Sequence, residues 1–263
     1  MSVTRIFNFL SRYVFKHPLY VIVYVCTYFL KGFSFSEHFY TKEEIIKLAQ
    51  EGKSIIRLGD GEINLLLDLN NHYHTFNPRL KTMIKEIVTS YKQESNYVLS
   101  VPQFINFSNE ELKKIGKFNV WLPLKVMFFL MFPKKIGYMD AHNFYYDTYF
   151  ENVIAPVIQD KKIICITRRE TTERLKSNGS LPWKNIVYIE TPESDAIASY
   201  DEITKQLDRE LEHAIVKDVV LLVAMGPVGK YLIFEYTKKG YQGIDPGMAV
   251  EVIFTGKSIQ YLI

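Results

Sequence analysis

The sequence predicts an α/β fold: a Rossmann-like, mostly parallel sheet with helices on both faces, preceded by an apolar amino-terminal helical segment. Three observations carry this expectation. Short continuous apolar runs, of which Val219-Val220-Leu221-Leu222-Val223-Ala224 is the clearest, lack the alternation of a half-exposed strand and read as strands buried on both faces. Between them lie segments with apolar residues at helical spacing, such as Leu80, Met83, Ile84, Ile87 and Val88. The two patterns alternate through the second half of the chain, which implies crossover helices joining parallel strands.

At 263 residues, with 48% hydrophobic and 23% charged residues, the chain is large enough for a substantial core and excludes wholesale disorder. The net charge is only +3, the basic residues are scattered and no nucleic-acid-binding module is present, so no nucleic-acid partner is expected. Cys26 and Cys165 cannot build a disulfide framework. Both sit in apolar runs and read as buried free thiols, in keeping with a reducing cytosol.

Residues 1–40 form an apolar and aromatic leading segment, and 41–263 the α/β domain. Leu19–Leu30 is almost wholly apolar and is flanked by Arg12, Lys16 and Lys31. As a helix it reaches about 18 Å, short of the ~30 Å hydrocarbon core of a bilayer. Lys31-Gly32-Phe33-Ser34-Phe35 is a poor signal-cleavage site. Two readings stay open: an interfacial segment over residues 6–30, with basic and aromatic anchors at the inner face of a membrane, or a helix buried against the domain or a partner.

The remaining elements follow in order. Thr41 and Glu44 form a capping box for a helix ended by Glu51-Gly52. Ser54–Leu58 is a short strand, Ile63–Leu69 a helix, and Asn70–His74 a polar loop in which His72 and His74 read as solvated. Helices are expected over Pro78–Tyr91, Trp121–Phe132, from Arg168, over Ser199–Ile215 and from Gly226 to Lys239; strands over Tyr97–Val101, Lys135–Met139, Lys162–Thr167, Asn185–Glu190, Asp218–Met225 and Tyr241–Asp245.

The stretch with the clearest chemistry is Arg57-Leu58-Gly59-Asp60-Gly61-Glu62. Acidic residues at i and i+2 share one side of an extended segment, so at the end of a strand Asp60 and Glu62 can reach one cation. Gly59 and Gly61 let a ligand approach the main chain. The competing reading of Asp60-Gly61 is a hairpin turn, but Ile63, Leu66 and Leu67 continue with helical spacing. In open parallel sheets ligands bind beyond the carboxyl ends of the strands. Asp60, Glu62, Asp140, Arg168, Asp195, Gly226, Pro227 and Asp245 all fall there. Together they suit a divalent cation, Mn²⁺ or Mg²⁺, bridging the diphosphate of a nucleotide-sugar and acting as a Lewis acid. Each also has a plainer reading: Arg168-Arg169 pairing with Glu170 or Glu173, Asp195 as a turn residue, Gly226–Gly229 as a close helix–sheet contact, and the aromatic run Tyr138–Phe150 as core rather than a sugar platform.

Arg57-x-Gly59-Asp60-Gly61-Glu62 resembles the signature of the GT-D-type bacterial glycosyltransferases. Ile166-Thr167-Arg168 resembles that family's Thr-Arg step after a strand, and Pro192–Ala196 its Pro-x-x-Asn-Ala segment, with Asp195 where Asn is usual. Ala224-Met225-Gly226-Pro227 followed by Lys239–Asp245 is similar to its closing strand–helix–strand signature. The resemblance spans Thr41 to Phe254. It implies metal-dependent hexosyl transfer from a nucleotide-sugar, typically UDP-linked, to a glycan or glycolipid acceptor in bacterial surface polysaccharide synthesis. By position, Asp60 and Glu62 would hold metal and diphosphate. Arg57 and Arg168 would be charge partners, and Asp140, Asp195 and Asp245 candidates to place hydroxyls or take the acceptor's proton. Two departures stand out: Met248 occupies a position where the family often has His, and Arg168-Arg169-Glu170 replaces its usual Arg-Leu/Phe-Gly surroundings. Two other classes are weighed beside it. An aspartyl-phosphate enzyme needs a later acidic pair beside a lysine, which the sequence does not display, and a non-catalytic assembly subunit would have lost the pocket chemistry.

Overall fold

The computed structural model describes residues 17–70, 74–143, 150–178, 185–247 and 249. Among them, eight strands run in chain order: β1 His38–Phe39, β2 Ser54–Arg57, β3 Tyr97–Val101, β4 Gly137–Asp140, β5 Lys162–Arg168, β6 Ile186–Thr191, β7 Val219–Ala224 and β8 Gln242–Ile244. They form one sheet in the order β1-β4-β3-β2-β8-β7-β5-β6. Every pairing is parallel. From β2 the chain steps outward to β3 and β4, crosses to the far side for β5 and β6, and returns through β7 so that β8 lies against β2. The point where the winding reverses is thus the β2–β8 junction, where ligands of such sheets bind.

The strands are apolar throughout because both faces are covered. Ile56, Leu99, Ile164, Ile166, Leu221 and Val223 belong to one buried cluster. Their neighbours Ile55, Val98, Ile163, Cys165, Val220 and Leu222 belong to the cluster on the other face. Buried polar pairs fix β8 in the middle. The Ser54 hydroxyl accepts the Gly243 N–H at 2.9 Å and lies 2.6 Å from the Thr237 hydroxyl. The Gln242 amide donates to the Ala49 and Lys53 carbonyls. In the same register the Asp245 N–H donates to the Ile55 carbonyl, which sets Asp245 beside β2.

Most elements form where the spacing places them. Helix Lys42–Gln50 carries its full capping box, with the Glu44 carboxylate accepting the Thr41 N–H at 2.7 Å. Four points differ. The helix expected from Ile63 starts three residues earlier, as Asp60–Leu66, because Gly59 supplies the N-cap position and Glu62 folds back onto it. The long helix expected over Ser199–Ile215 is Tyr200–Leu211, preceded by a 3₁₀ turn over Ala196–Ser199. Strand β1 was not anticipated: two residues carry no periodic signal. Cys165 is buried, its thiol pushed up to about 12 by burial, but Cys26 is exposed. It lies on helix Pro18–Phe29, whose Tyr20 and Tyr24 join the main core and whose Tyr28 ring packs 5.4 Å from Phe118 on helix Phe118–Met131.

Candidate functional site at the junction of the second and last strands

Strand β2 delivers the acidic motif, but not as an extended segment. Asp60 is the first residue of a helix and Glu62 the third, so the two side chains leave the axis in different directions. Asp60 is exposed, and one of its carboxylate oxygens accepts the Gly61 N–H at 2.9 Å. Glu62 is buried. Its Oε2 accepts the Gly59 N–H at 2.7 Å, and its Oε1 lies 3.2 Å from the Lys230 ammonium.

Lys230 organises the site. It projects from helix Pro227–Lys238, itself buried, and its Nζ is also 3.2 Å from Oδ2 of Asp245, at the end of β8. Asp245 is 3% exposed, and its other oxygen accepts the Gly247 N–H at 2.9 Å. Burial pulls the Lys230 ammonium down, but the Asp245 and Glu62 carboxylates outweigh it, and the lysine is held above its ordinary value. It is therefore charged at neutral pH. Arg57, the last residue of β2, donates to the Pro246 carbonyl at 3.3 Å, and its guanidinium lies against Gly247. Two cations and two anions thus meet where β2 and β8 end. Lys230 thus links Glu62 of the acidic motif to Asp245, a contact the sequence did not display.

His74 also belongs to this neighbourhood, contrary to the solvated loop expected; His72 lies outside the described residues. The His74 ring is buried and its pKa is lowered. Burial is the main cause and the Lys230 charge adds to it, while Asp195, at 4.0 Å, and Glu62 oppose. The imidazole is accordingly neutral at pH 7. Asp195 sits in the left-handed backbone region (φ 49°, ψ 38°), which Asn and Asp tolerate better than most residues. Its carboxylate is half exposed and accepts the Thr75 N–H at 2.9 Å.

Gly226 adopts φ 68°, ψ −153°, a conformation natural only to glycine, and with Pro227 it starts the helix that carries Lys230. The plainer reading of Gly229 holds: a Cβ there would lie 2.8 Å from Val223 Cγ1, so its absence lets helix and sheet meet. Asp140 and Arg168 stand farther off. Asp140 ends β4, which β3 separates from β2, and it accepts the Gln103 and His142 N–H groups at 3.1 Å each. Arg168 ends β5, which β7 separates from β8. Arg169 pairs with Glu173 at 3.0 Å along its helix. Tyr138 is core; residues 144–149 of the aromatic run, and Met248, lie outside the described residues.

A divalent cation fits this site in one way. Both Glu62 oxygens have partners, and an ammonium 3.2 Å away opposes a second positive charge. The described residues contain no group of three or more His, Cys, Asp or Glu suited to holding a metal. Asp60, exposed and two residues from Glu62, remains as a single carboxylate, which suffices for an ion whose shell is completed by substrate phosphates and water.

A parallel α/β sheet with a buried charge cluster at its switch point is the arrangement in which such folds bind polar ligands beyond the strand ends. The chain belongs to the glycosyltransferase GT-D fold family, whose description it matches over residues 55–251, from β2 past β8. It is 24% identical over 219 residues to a protein of Streptococcus gordonii named as a probable glycosyl transferase; the match covers 76% of this chain but only 30% of that protein. It superposes with a TM-score of 0.69 on a DUF1792 glycosyltransferase from Streptococcus sanguinis, at 19% identity, covering 85% of this chain and 87% of the other. A second structure, of a domain described as having a distinct glycosyltransferase fold, gives the same score at 19% identity, covering 89% of this chain and 84% of the other.

Proposed function

We propose that this chain moves a hexose from a nucleotide-sugar, UDP-linked, to a glycan or glycolipid acceptor in bacterial surface polysaccharide or glycoprotein synthesis, with Mn²⁺ or Mg²⁺ bound at Asp60. The observation that carries the proposal is the Glu62–Lys230–Asp245 cluster at the β2–β8 switch point, with the exposed Asp60 two residues from its first member, inside the region that matches the family. When bound, the metal supplies Lewis acidity to the diphosphate. The chain's own residues do the rest. Lys230 and Arg57 hold positive charge where the diphosphate would gather negative charge as the bond from the sugar's anomeric carbon to its oxygen breaks. Glu62 and Asp245 fix that lysine in place, and Gly226-Pro227 set the helix it rides on.

The incoming hydroxyl must lose a proton as the new glycosidic bond forms. Asp195 is the best-placed acceptor, because its carboxylate is half exposed, whereas Asp245 is buried against an ammonium and Asp140 stands beyond β3 from the junction. Calorimetry with UDP, with and without Mn²⁺, followed by a panel of nucleotide-sugars, tests the reading. Metal-dependent binding and turnover that Asp60→Asn abolishes is the expected result. No UDP binding at any metal concentration would sink it, and would favour the assembly-subunit alternative.

A further inference from the structure

Helix Pro18–Phe29 is apolar on the side it buries and equally on the side it exposes. Tyr20, Tyr24 and Thr27 face the body of the protein. Leu19, Ile22, Cys26 and Phe29 recur at helical spacing along the opposite side, and Leu30 follows; all are exposed, Phe29 to 74%, Leu19 to 62% and Ile22 to 60%. A soluble helix normally presents charged or polar residues on that side.

This stripe is not a loose end. The buried Lys125 ammonium donates to the Phe33 and Phe107 carbonyls and to the Asn109 side-chain oxygen. The Asn109 amide in turn donates to the Thr27 and Leu30 carbonyls, both at 2.7 Å, and so ties down the helix end. At the other end His17 lies 2.9 Å from Asp68, just past the helix that bears Asp60 and Glu62. The apolar face is therefore held outward by built contacts.

Charge identifies what covers it. The first 36 residues contain Arg5, Arg12, Lys16 and Lys31 and no Asp or Glu, so this end supplies the whole net positive charge of the chain. Lys113 is exposed beside it, its ammonium 5.5 Å from the Tyr28 ring centroid, on a short helix where Lys113 and Lys114 balance the exposed Glu110 and Glu111. We propose that the Leu19–Leu30 stripe docks in the plane of an anionic lipid bilayer, its apolar side chains entering the interfacial layer and the flanking cations meeting acidic headgroups. Twelve helical residues, about 18 Å, lie in that layer and do not cross it.

Co-sedimentation of the full chain with vesicles tests this independently of any catalytic activity. Binding is expected to vesicles of phosphatidylcholine mixed with phosphatidylglycerol, to weaken with salt, and to fall away on phosphatidylcholine alone. Ile22→Glu and Phe29→Glu should abolish it with the melting temperature unchanged, since both side chains are exposed, and the double Lys113→Glu/Lys114→Glu should weaken it by about tenfold or more. No binding by the wild-type chain, or equal binding by the Glu variants, overturns the proposal. So does a dimer that Phe29→Glu dissociates, which assigns the face to a second copy. A lowered melting temperature for Ile22→Glu also overturns it, because the stripe would then be covered by the protein itself.

Discussion

Replacing Lys230 with Met removes one cation from between two buried carboxylates while keeping most of the side chain's volume. At 3.2 Å, each contact is worth about 5 kcal/mol of Coulomb attraction at an effective dielectric constant near 20, before desolvation is subtracted. Burying the ammonium cancels much of that, so the pair terms are not the net contribution of the bridge. What the substitution exposes is the other half of the balance: Glu62 and Asp245 remain buried with Arg57 as their nearby cation. Breaking a buried pair from one side costs about 3–5 kcal/mol, and that is the loss expected in urea unfolding at pH 7. The double variant Lys230→Met/Asp245→Asn removes one of the stranded charges and keeps an oxygen for the Gly247 N–H. It should recover at least about 1 kcal/mol relative to the single variant. A loss below about 1 kcal/mol for Lys230→Met, or no recovery in the double variant, would refute the view that this cluster is an interlocked charge unit.

Three further substitutions test separate parts of the site. Asp60→Asn should change stability by no more than about 1 kcal/mol, the worth of a first-turn charge, because the Asn oxygen can still accept the Gly61 N–H; Mn²⁺-dependent UDP binding measured by calorimetry should nevertheless disappear. Gly247→Ala would place a Cβ 2.3 Å from Arg57 Nη1 at a residue with φ 55°, so we expect a loss of about 1–3 kcal/mol in urea unfolding, together with weaker UDP binding as the guanidinium is displaced. His74 has a folded pKa below its unfolded value of 6.5, so the unfolded chain binds the extra proton first as pH falls. Its contribution is complete above pH 6.5 and declines as pH drops toward the folded value; His74→Gln should remove that part of the pH dependence in thermal unfolding.

The fold was largely legible because a doubly covered parallel sheet writes itself as continuous apolar runs. Ile55 and Ile56 are consecutive yet belong to opposite cores, so both are apolar. Strand order was not legible: nothing local to Gln242-Gly243-Ile244 says that it inserts beside Ser54–Arg57, since that choice rests on Ser54, Thr237 and Gly243 meeting across the sheet. The site shows the same division. The acidic motif announced itself through its glycines, but the residue linking it to Asp245 did not. Lys230 follows Gly229 in a segment that already had a sufficient explanation in close helix–sheet packing, and a lysine one residue past a glycine on an apolar helix carries no periodic signal. One clue was available. Helix Pro227–Lys238 is apolar nearly all round, so a lysine in its first turn has to find carboxylates once the helix is buried, and Glu62 and Asp245 are the acids that the two adjoining strand ends deliver. That reasoning runs from burial to partner rather than from motif to role. It also explains why Glu62 cannot be read as a simple metal ligand from the spacing Asp-x-Glu alone. The helix that begins at Asp60 turns Glu62 inward to the lysine and leaves Asp60 exposed, so the two acids of one motif serve different ends.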